Sequence, residues 1–317
     1  MTKVFIDGKE GTTGLQIWER LADRDDVELL VLPEQLRKDT GARRQALNSC
    51  DIAFFCLPDA AAREAAAMIE NPTVRVIDAS TAHRTASGWT YGFPELSADI
   101  RKSIASASRV ANPGCHASGF IALVRPLVAT GLLSKDAALS CFSITGYSGG
   151  GKGMIAEYEN ESRSALLDAP RQYGLSQGHK HLPEMQILCG LSNAPIFCPI
   201  VADYTCGMEV TVPLFANMLR GSAADVRSIY EELYTGPVVR YCPDADEKGF
   251  LSAGRYACWD GMEISVHGNE ERILLCARYD NLGKGASGAA VQSFNIMTGQ
   301  EETKGLRMDT HPQGEKL

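Results

Sequence analysis

The sequence Asn112-Pro113-Gly114-Cys115 places a thiol where a turn gives way to a helix. Proline fixes φ and glycine tolerates positive φ, so this stretch favours a tight turn. An apolar helical pattern begins at Phe120, which puts Cys115 at the N-terminal end of the predicted helix. Unpaired N–H groups and the helix dipole stabilise an anion there, and the thiolate is the nucleophilic form of cysteine. Cys115 is therefore the candidate nucleophile, with a small buried side chain as the alternative interpretation.

Two of the six histidines, His179 and His181, stand two residues apart and are followed by Pro183 and Glu184. This group is suited to acid–base work beside a thiol. A metal-binding pair is the alternative, but no third ligand follows at a suitable spacing, so we predict no metal site. Because Pro183 disfavours helical geometry at Leu182, we expect a turn or an extended segment here.

A short apolar strand near the N-terminus runs into a glycine turn that opens a helix. The glycines are spaced G-x-x-G-x-x-G. The residues of this turn are Gly8, Gly11, Thr12, Thr13 and Gly14. Glycines in such a turn let backbone N–H groups approach a pyrophosphate at a helix N-terminus. The pattern predicts dinucleotide binding, with a tight strand–helix turn of another α/β protein as the alternative.

The residues after the second predicted strand leave the choice between NAD and NADP open. Glu34 would bond the ribose 2′-hydroxyl of NAD, whereas a basic side chain suits the 2′-phosphate of NADP. The basic candidates are Arg37, Lys38, Arg43 and Arg44. For most of these five charged residues, Glu34 and the four basic ones, the alternative interpretation is a solvated charged loop.

A second glycine-rich stretch, residues 145–153, follows a predicted strand and nearly matches a P-loop. Gly153 stands after Lys152, where a P-loop needs Ser or Thr to hold Mg²⁺. A nucleotide triphosphatase is therefore a remote alternative function. The stretch also suits a flexible basic loop that holds a substrate phosphate through hydroxyls such as Ser148 and through Lys152.

Length and composition exclude several classes of function. The chain has 317 residues, enough for two domains, with 44% hydrophobic and 22% charged residues. Its net charge of −8 argues against nucleic-acid and anionic-membrane partners. No apolar run approaches the roughly 18 residues of a membrane span. The absence of a visible signal peptide and the ten scattered cysteines, without a CxxC pair, predict a cytoplasmic protein with reduced thiols.

Alternating strands and helices in residues 1–114 predict a doubly wound parallel sheet of Rossmann type. The third strand, residues 51–58, is nearly all apolar, as a parallel sheet buried on both faces requires. A polar loop, residues 79–84, follows the fourth strand at the edge where such sheets bind ligands. From Ile200 onward alternating strands predict an α+β domain with a mostly antiparallel sheet. Further helices are predicted at residues 154–167 and 226–234, and from the glycines after Asp280 to Met297.

Six motifs, taken in order, identify the chain as a member of the N-acetyl-γ-glutamyl-phosphate reductase family of arginine biosynthesis, and it resembles the shorter form in particular. The resemblance covers nearly the whole chain. The motifs are Gly8-x-x-Gly11-x-x-Gly14, Asp78-x-Ser80 with Arg84, Tyr91-Gly92-Phe93-Pro94-Glu95-Leu96, Asn112-Pro113-Gly114-Cys115, His179-x-His181-x-Pro183-Glu184 and Asn281-Leu282-Gly283-Lys284-Gly285-Ala286.

The resemblance implies an NADPH-dependent reduction of N-acetyl-L-glutamyl 5-phosphate to the 5-semialdehyde, with release of phosphate, through a thioester on Cys115. It implies a Rossmann domain of residues 1–114 and 286–317, completed by the C-terminal helix, and a catalytic and dimerisation domain of residues 115–285. A homo-oligomer, dimer or tetramer, is expected, with a small acyl phosphate as substrate. The open alternatives are an aspartate-semialdehyde dehydrogenase-like enzyme and a non-catalytic NAD(P)-binding regulator.

The resemblance also implies roles for individual residues. The implied catalytic residues are Cys115, His179, His181 and Glu184, with His179 as the acid–base group. The implied NADP(H) contacts are Gly8, Gly11, Thr12, Thr13, Gly14, Arg37, Lys38, Ser80, Asn281, Gly283 and Lys284. The implied substrate contacts are Arg84, Asn112, Ser148 and Lys152, with Arg84 and Lys152 as candidates for binding its carboxylate or phosphate.

Overall fold

The computed structural model describes residues 1–309, which group into two compact units. The first unit comprises Met1–Pro94, Ala98–Pro113 and Ala286–Leu306. The second comprises Glu95–Ser97, Gly114–Gly285 and the described residues from Arg307 onward. The chain thus passes from the first unit to the second at Gly114, directly before Cys115, and returns at Ala286. The predicted first domain extends to residue 114, one residue further than the first unit does. The prediction also assigns residues 95–97 and the described residues from 307 onward to the first domain, whereas the structure groups them with the second unit.

Within residues 1–309, six strands of the first unit form one sheet in which each neighbouring pair is parallel. The strands are β1 (Thr2–Asp7), β2 (Val27–Leu30), β3 (Ile52–Phe55), β4 (Arg75–Asp78), β5 (Thr90–Tyr91) and β6 (Arg109–Ala111). Their order across the sheet is β2-β1-β3-β4-β6-β5. The order reverses between β1 and β3, and a ligand crevice forms at the carboxyl ends of the strands at such a point.

Successive residues of these strands pack on opposite faces of the sheet, as the two-residue period of a strand requires. The surrounding helices are α1 (Thr12–Leu21), α2 (Thr40–Ser49), α3 (Asp59–Ala67), α4 (Ala98–Ser106) and, late in the chain, α9 (Gly288–Thr298). Ile6 and Phe54 join a core that includes residues of α1, α4 and α9. Phe5 and Phe55 join a second core with α2 and α3. Both faces are buried, so the predicted doubly wound parallel sheet is confirmed.

The second unit contains a sheet of seven strands within the described residues. The strands are β7 (Ser140–Gly146), β8 (Arg171–Gln172), β9 (Ile196–Ala202), β10 (Met208–Phe215), β11 (Val239–Tyr241), β12 (Met262–Gly268) and β13 (Arg272–Tyr279). Their order is β11-β12-β13-β10-β7-β9-β8. The pairs β11–β12 and β7–β9 are parallel and the others are antiparallel, which confirms the predicted mostly antiparallel sheet.

Helix α5 (Cys115–Ala129) packs against β10 and β13 and is buried along most of its length. It is apolar on nearly every side, as expected of a helix enclosed by other elements. The remaining helices of this unit are α6 (Gly151–Tyr158), α7 (Leu182–Cys189) and α8 (Ala223–Leu233). Across the described residues, no helix combines the length and apolar character that a membrane crossing needs.

Three helix predictions differ from the structure. The helix predicted at residues 154–167 ends at Tyr158, because Asn160 and Ser164 use their side chains to bond nearby backbone N–H groups instead of continuing the helix. The last predicted helix is preceded by a π-helical turn at Gly283–Ser287. Helix α7 begins at Leu182, before Pro183, since proline is tolerated in the first turn of a helix.

Candidate active site

The turn after β1 approaches neighbouring backbone so closely that two of its positions accept only glycine. Gly8 has φ +89°, and a Cβ there would lie 2.3 Å from the carbonyl oxygen of Cys56. A Cβ on Gly14 would lie 2.5 Å from the carbonyl oxygen of Gly8. Helix α1 begins at Thr12 with Gly11 as its N-cap. The open N-terminus of α1 therefore has no side chain at its N-cap, as the approach of a pyrophosphate requires.

A cavity of about 600 Å³ lies beside this turn in the first unit. The charged side chains that line it include Glu34, Arg37 and Lys38, all exposed. Arg37 Nη2 lies 3.4 Å from the Glu34 carboxylate, so part of the acidic charge is balanced. Arg43 is buried and donates from Nε and Nη2 to Asp7, which commits its guanidinium to an ion pair. The cavity size fits a dinucleotide, with Arg37 and Lys38 as the exposed cations.

The polar loop after β4 is folded around Asp78, which is fully buried. The Asp78 carboxylate accepts hydrogen bonds from the Ser80 N–H at 2.9 Å and the Ser80 hydroxyl at 2.8 Å. Arg84 donates from Nε to the carbonyl oxygen of Asn112 at 3.0 Å, and Asn112 Nδ2 donates to the carbonyl oxygen of Ala286 at 2.9 Å. Within residues 1–309 the buried Asn112 Oδ1 has no hydrogen-bond partner. The structure thus brings Ser80, Arg84 and Asn112 together in the first unit.

Cys115 is the first residue of α5 and Gly114 is its N-cap, so the predicted position of the thiol at a helix start is observed. Glu184 Oε1 accepts the Gly114 N–H at 2.8 Å. Glu184 is itself buried in the first turn of α7, where the helix dipole favours a negative charge. The carboxylate therefore holds the backbone turn that presents the thiol, a positioning contact that the sequence did not indicate.

Tyr279, the last residue of β13, inserts its hydroxyl into the first turn of α5. The hydroxyl donates to the carbonyl oxygen of Cys115 at 2.5 Å and accepts the N–H of Gly119 at 2.9 Å. In a regular helix these two backbone groups bond each other directly. A Cβ on Gly119 would lie 2.7 Å from this hydroxyl, so glycine is needed for the tyrosine to approach. Burial raises the pKa of Tyr279 well above its usual value, which keeps the hydroxyl protonated as a donor.

The segment from Asp280 to Gly285 passes beside the thiol. A Cβ on Gly285 would lie 3.0 Å from Cys115 Cβ. Asn281 Nδ2 donates to the buried Ser148 hydroxyl at 3.0 Å, which brings the predicted loop residue Ser148 to this segment. Lys284 is buried and its ammonium lies 2.8 Å from the Glu95 carboxylate. The side chains of Asn281 and Lys284 thus bond protein groups, and their contact with a cofactor, like that of Gly283, stays a prediction.

His179 and His181 lie in a turn, one of the two geometries predicted, with ring centroids 4.8 Å apart. His179 Nδ1 accepts the backbone N–H of His181 at 3.2 Å. Because that nitrogen accepts, a neutral His179 ring carries its proton on Nε2. His181 is buried and is the N-cap residue of α7. This geometry suits His179 as a proton donor and His181 as a more enclosed neighbour.

His116 completes a cluster of three histidines, with ring centroids 5.8 Å from His179 and 5.6 Å from His181. Its nitrogens lie 2.6 Å from the Ser143 hydroxyl and 2.7 Å from the Tyr173 hydroxyl. Burial, followed by the positive charges of His179 and Lys180, lowers the pKa of His116 to about 3. The ring is therefore neutral at physiological pH and acts as a hydrogen-bonding bridge.

Sequence reasoning missed His116, Tyr173 and Tyr279 as site residues. His116 directly follows Cys115, and that adjacency was a usable signal. Tyr173 lies 57 residues from His116 and Tyr279 lies 164 residues from Cys115, so no local pattern marks either tyrosine. Burial, followed by the negative charge at Cys115, raises the pKa of Tyr173, so its hydroxyl stays protonated.

Lys152 is exposed on α6 and, within residues 1–309, forms no ion pair. The glycine-rich stretch that precedes it forms a short 3₁₀ turn at Tyr147–Gly150. Ser148 donates its N–H to the carbonyl oxygen of Thr205 at 3.0 Å, so its position is set by the backbone. The loop thus offers one buried hydroxyl and one exposed cation to an anionic ligand.

Comparison with known proteins places both units in one family. Residues 115–281 match a family model described as the semialdehyde dehydrogenase dimerisation domain. Residues 32–104 match the semialdehyde dehydrogenase NAD binding domain.

Curated relatives align over almost the full chain. An N-acetyl-gamma-glutamyl-phosphate reductase 2 of Nostoc sp. is 45% identical over 318 residues, covering 96% of this chain and 99% of the relative. An N-acetyl-gamma-glutamyl-phosphate reductase of Chelativorans sp. is 47% identical over 304 residues, covering 93% of this chain and 97% of the relative.

Solved structures share the fold at low sequence identity. Aspartate semialdehyde dehydrogenase II of Vibrio cholerae superposes with a TM-score of 0.71 at 18% identity, covering 94% of this chain and 98% of that chain. Aspartate semialdehyde dehydrogenase of Candida albicans, solved with NADP, has a TM-score of 0.66 at 14% identity, covering 94% of this chain and 98% of that one.

Proposed function

The chain belongs to the N-acetyl-gamma-glutamyl-phosphate reductase family, and we propose from that premise that it reduces N-acetyl-L-glutamyl 5-phosphate with NADPH in arginine biosynthesis. The products are N-acetyl-L-glutamate 5-semialdehyde and phosphate. The observation that carries the proposal is the thiol of Cys115 at the start of α5, held through Gly114 by the buried Glu184. We place the reaction in the cytoplasm, as the ten cysteines, none in a disulfide within the described residues, favour.

In the first half of the proposed reaction, the Cys115 thiolate attacks the acyl phosphate carbonyl carbon. The carbon–oxygen bond to phosphate breaks, phosphate leaves and a thioester forms on Cys115. The position of Cys115 at the N-terminus of α5 supports the thiolate, because the helix dipole favours negative charge there. Backbone N–H groups at the same helix end are candidate donors to the carbonyl oxygen as negative charge develops on it.

In the second half, the thioester becomes a thiohemiacetal and then an aldehyde. NADPH, when bound, supplies the hydride for this reduction. His179, with its Nε2 proton, protonates the oxygen as the thiohemiacetal forms and takes that proton back as the carbon–sulfur bond breaks. Glu184 and Tyr279 act on this chemistry only by positioning Cys115.

The first unit is proposed to bind NADP(H). The glycine turn after β1 and the cavity beside it support this assignment, since a Cβ on Gly8 or Gly14 would collide with backbone. Arg37 and Lys38 are the proposed contacts of the 2′-phosphate, and Thr12, Thr13 and Ser80 are proposed to contact the pyrophosphate and nicotinamide.

Groups of the substrate are assigned to four side chains. Arg84 is proposed to bind the carboxylate through its guanidinium, and the unpartnered Asn112 Oδ1 is proposed to accept the amide N–H of the substrate. Ser148 and Lys152 are proposed to bind the phosphate, supported by the exposure of Lys152 and by the buried hydroxyl of Ser148 in the turn that precedes α6. His181 is proposed to bind substrate or to support His179.

A homo-oligomer, dimer or tetramer, is proposed to form through the exposed face of the second sheet. Phe142 and Thr211 pair across β7 and β10, and Pro213 and Leu274 pair across β10 and β13, all on the face opposite α5. Phe142 is 45% exposed and Leu274 is 41% exposed, which is unusual for central strands. The family description of residues 115–281 as a dimerisation domain supports a second copy as the occupant. A Phe142→Glu variant should then show a smaller molar mass by light scattering, and a monomeric wild-type protein would contradict this contact.

The function is tested by the reverse reaction, phosphate-dependent reduction of NADP⁺ by N-acetyl-L-glutamate 5-semialdehyde. We expect activity in the wild type and in Cys242→Ser, a thiol outside the site, and at least a 10³-fold loss in Cys115→Ser, on the order of the loss of a nucleophile. Inactivation by iodoacetamide should follow the labelling of Cys115 and not that of the exposed Cys258.

The same assay separates the alternatives. Higher kcat/KM with aspartate semialdehyde than with the N-acetylated substrate would favour an aspartate-semialdehyde dehydrogenase. ATP hydrolysis that survives Cys115→Ser would favour a nucleotide triphosphatase. Wild-type protein that binds NADPH but turns over no semialdehyde would favour a regulator.

A further inference from the structure

A pair of thiols lies in the second unit, apart from the thiol of Cys115 that the proposed reaction uses. The Sγ atoms of Cys206 and Cys258 are 3.6 Å apart, which is contact distance for two sulfurs. Cys206 follows β9 and Cys258 precedes β12, so 52 residues separate them in the sequence. Cys258 is exposed and Cys206 is partly buried. An oxidant in solution therefore reaches one thiol while the other stands directly behind it.

The backbone at Cys258 adopts a geometry that non-glycine residues rarely take. Its φ is +65°, in the left-handed region. Its N–H donates to the buried Asp280 Oδ2 at 2.6 Å, which holds this conformation. Residues in this conformation are concentrated at functional sites and switch regions, and the side chain of this residue contacts the sulfur of Cys206.

We propose that Cys206 and Cys258 are a site of oxidative modification, where a hydroperoxide converts the two thiols to an intramolecular disulfide. The Cys258 sulfur attacks one peroxide oxygen, the O–O bond breaks, and a sulfenic acid and one water (or alcohol) result. The Cys206 sulfur then attacks the Cys258 sulfur, the S–O bond breaks, and hydroxide leaves with the Cys206 proton as water. The two thiols lose two electrons and the peroxide gains them.

The environment of Cys206 fits the order of these steps. The hydrogen bond with Cys258, burial and the negative charge of Asp280 together raise the pKa of the Cys206 thiol. Cys206 is therefore the less reactive thiol toward the peroxide, and the exposed Cys258 is oxidised first. The sulfenic acid on Cys258 then forms in contact with a thiol that can close the bond.

A metal ion is the competing occupant of this pair. Among the described residues, Cys206, Cys258 and Asp280 are the group whose ligand atoms lie close enough to share an ion, within 4.8 Å of one another. Asp280, however, already accepts the N–H groups of Cys258, Leu282 and Gly283. Two thiols and an occupied carboxylate supply fewer ligands than the four that a structural zinc site takes. The observations favour the disulfide.

The experiment uses the full chain in a Cys115→Ser background, which removes the proposed nucleophile and keeps the result independent of the proposed reaction. The reduced protein is treated with equimolar hydrogen peroxide, blocked with N-ethylmaleimide, digested and examined by mass spectrometry. We expect a peptide cross-linked between Cys206 and Cys258, loss of two titratable thiols per chain, and recovery of both with dithiothreitol.

Three variants sharpen this result. Adding Cys206→Ser should leave a dimedone-reactive sulfenic acid on Cys258, adding Cys258→Ser should abolish the cross-link, and adding Cys242→Ser should leave the cross-link intact. Conversion of Cys258 to a sulfinic acid without any cross-link in the Cys115→Ser protein would overturn the proposal. So would one zinc ion per chain, seen by native mass spectrometry of the reduced protein and lost in Cys258→Ser, which would assign a metal site instead.

Discussion

Removing the Tyr279 hydroxyl is expected to misplace the nucleophile without removing any group that touches substrate. In Tyr279→Phe the carbonyl oxygen of Cys115 and the N–H of Gly119 lose their shared partner. These two groups then bond each other, as in a regular helix, and the first turn of α5 must tighten. The tightening moves Cys115 relative to Glu184 and to the histidine cluster.

The size of the effect follows from the bonds lost. Each hydrogen bond contributes roughly 1 kcal/mol net, so two bonds lost and one helical bond formed predict a net loss of about 1 kcal/mol in the free energy of unfolding. The effect on the reaction is larger, because a misplacement of about 1 Å at a reacting group costs on the order of 10²-fold in rate. We expect kcat to fall by roughly 10- to 100-fold.

Tyr234→Phe is the matched control. The Tyr234 hydroxyl donates to the carbonyl oxygen of Ala122, also in α5, at 2.6 Å. That carbonyl has no helical partner, because residue 126 is proline. Losing this bond should lower stability by about 1–3 kcal/mol while kcat stays within about twofold of the wild type.

The assays are thermal unfolding, steady-state kinetics and the rate of iodoacetamide labelling at Cys115. The two variants should lose comparable stability, but only Tyr279→Phe should lose kcat and label more slowly. If Tyr279→Phe is destabilised and keeps wild-type kcat, the idea that this hydroxyl positions the thiol is wrong.

Three further predictions concern the histidines and the cofactor. His179→Asn should lower kcat by roughly 10²–10⁴-fold and change the pH profile, whereas His181→Asn should act mainly on substrate KM; a larger kcat loss in His181→Asn would exchange the two roles. Arg37→Ala and Lys38→Ala should each raise the KM for NADPH and leave the KM for NADH unchanged. Equal kcat/KM for the two cofactors in the wild type would show that the protein does not recognise the 2′-phosphate. Burial lowers the pKa of His116 from its usual 6.5 to about 3, so below pH 6.5 the unfolded chain binds a proton that the folded protein does not. Thermal stability should therefore fall as the pH drops below 6.5, and fall less steeply in His116→Gln; identical slopes of Tm against pH would contradict a neutral buried ring.

The sequence by itself determined the fold class and the position of the thiol. The all-apolar strand β3 and the glycines after β1 are local signals, because burial on both faces and a tight turn each constrain residue type within a few positions. Cys115 was placed at a helix start by the turn residues before it and the apolar spacing after it. The same local reasoning predicts a helix that ends at residue 167, whereas α6 ends at Tyr158. Helix propensity alone does not include side-chain bonds to the backbone such as that of Asn160.

Only the tertiary structure decided which distant groups meet at that thiol. Glu184 reaches Gly114 across 70 residues, and Tyr279 reaches Cys115 across 164. Lys284, expected at a cofactor, is committed to Glu95 across 189 residues. Local patterns extend over a turn or two, whereas a buried polar group takes whichever partner the packed fold brings within about 3 Å. The chemistry of the thiol could thus be predicted from its neighbours in the chain, but the distant groups that hold it in position could not.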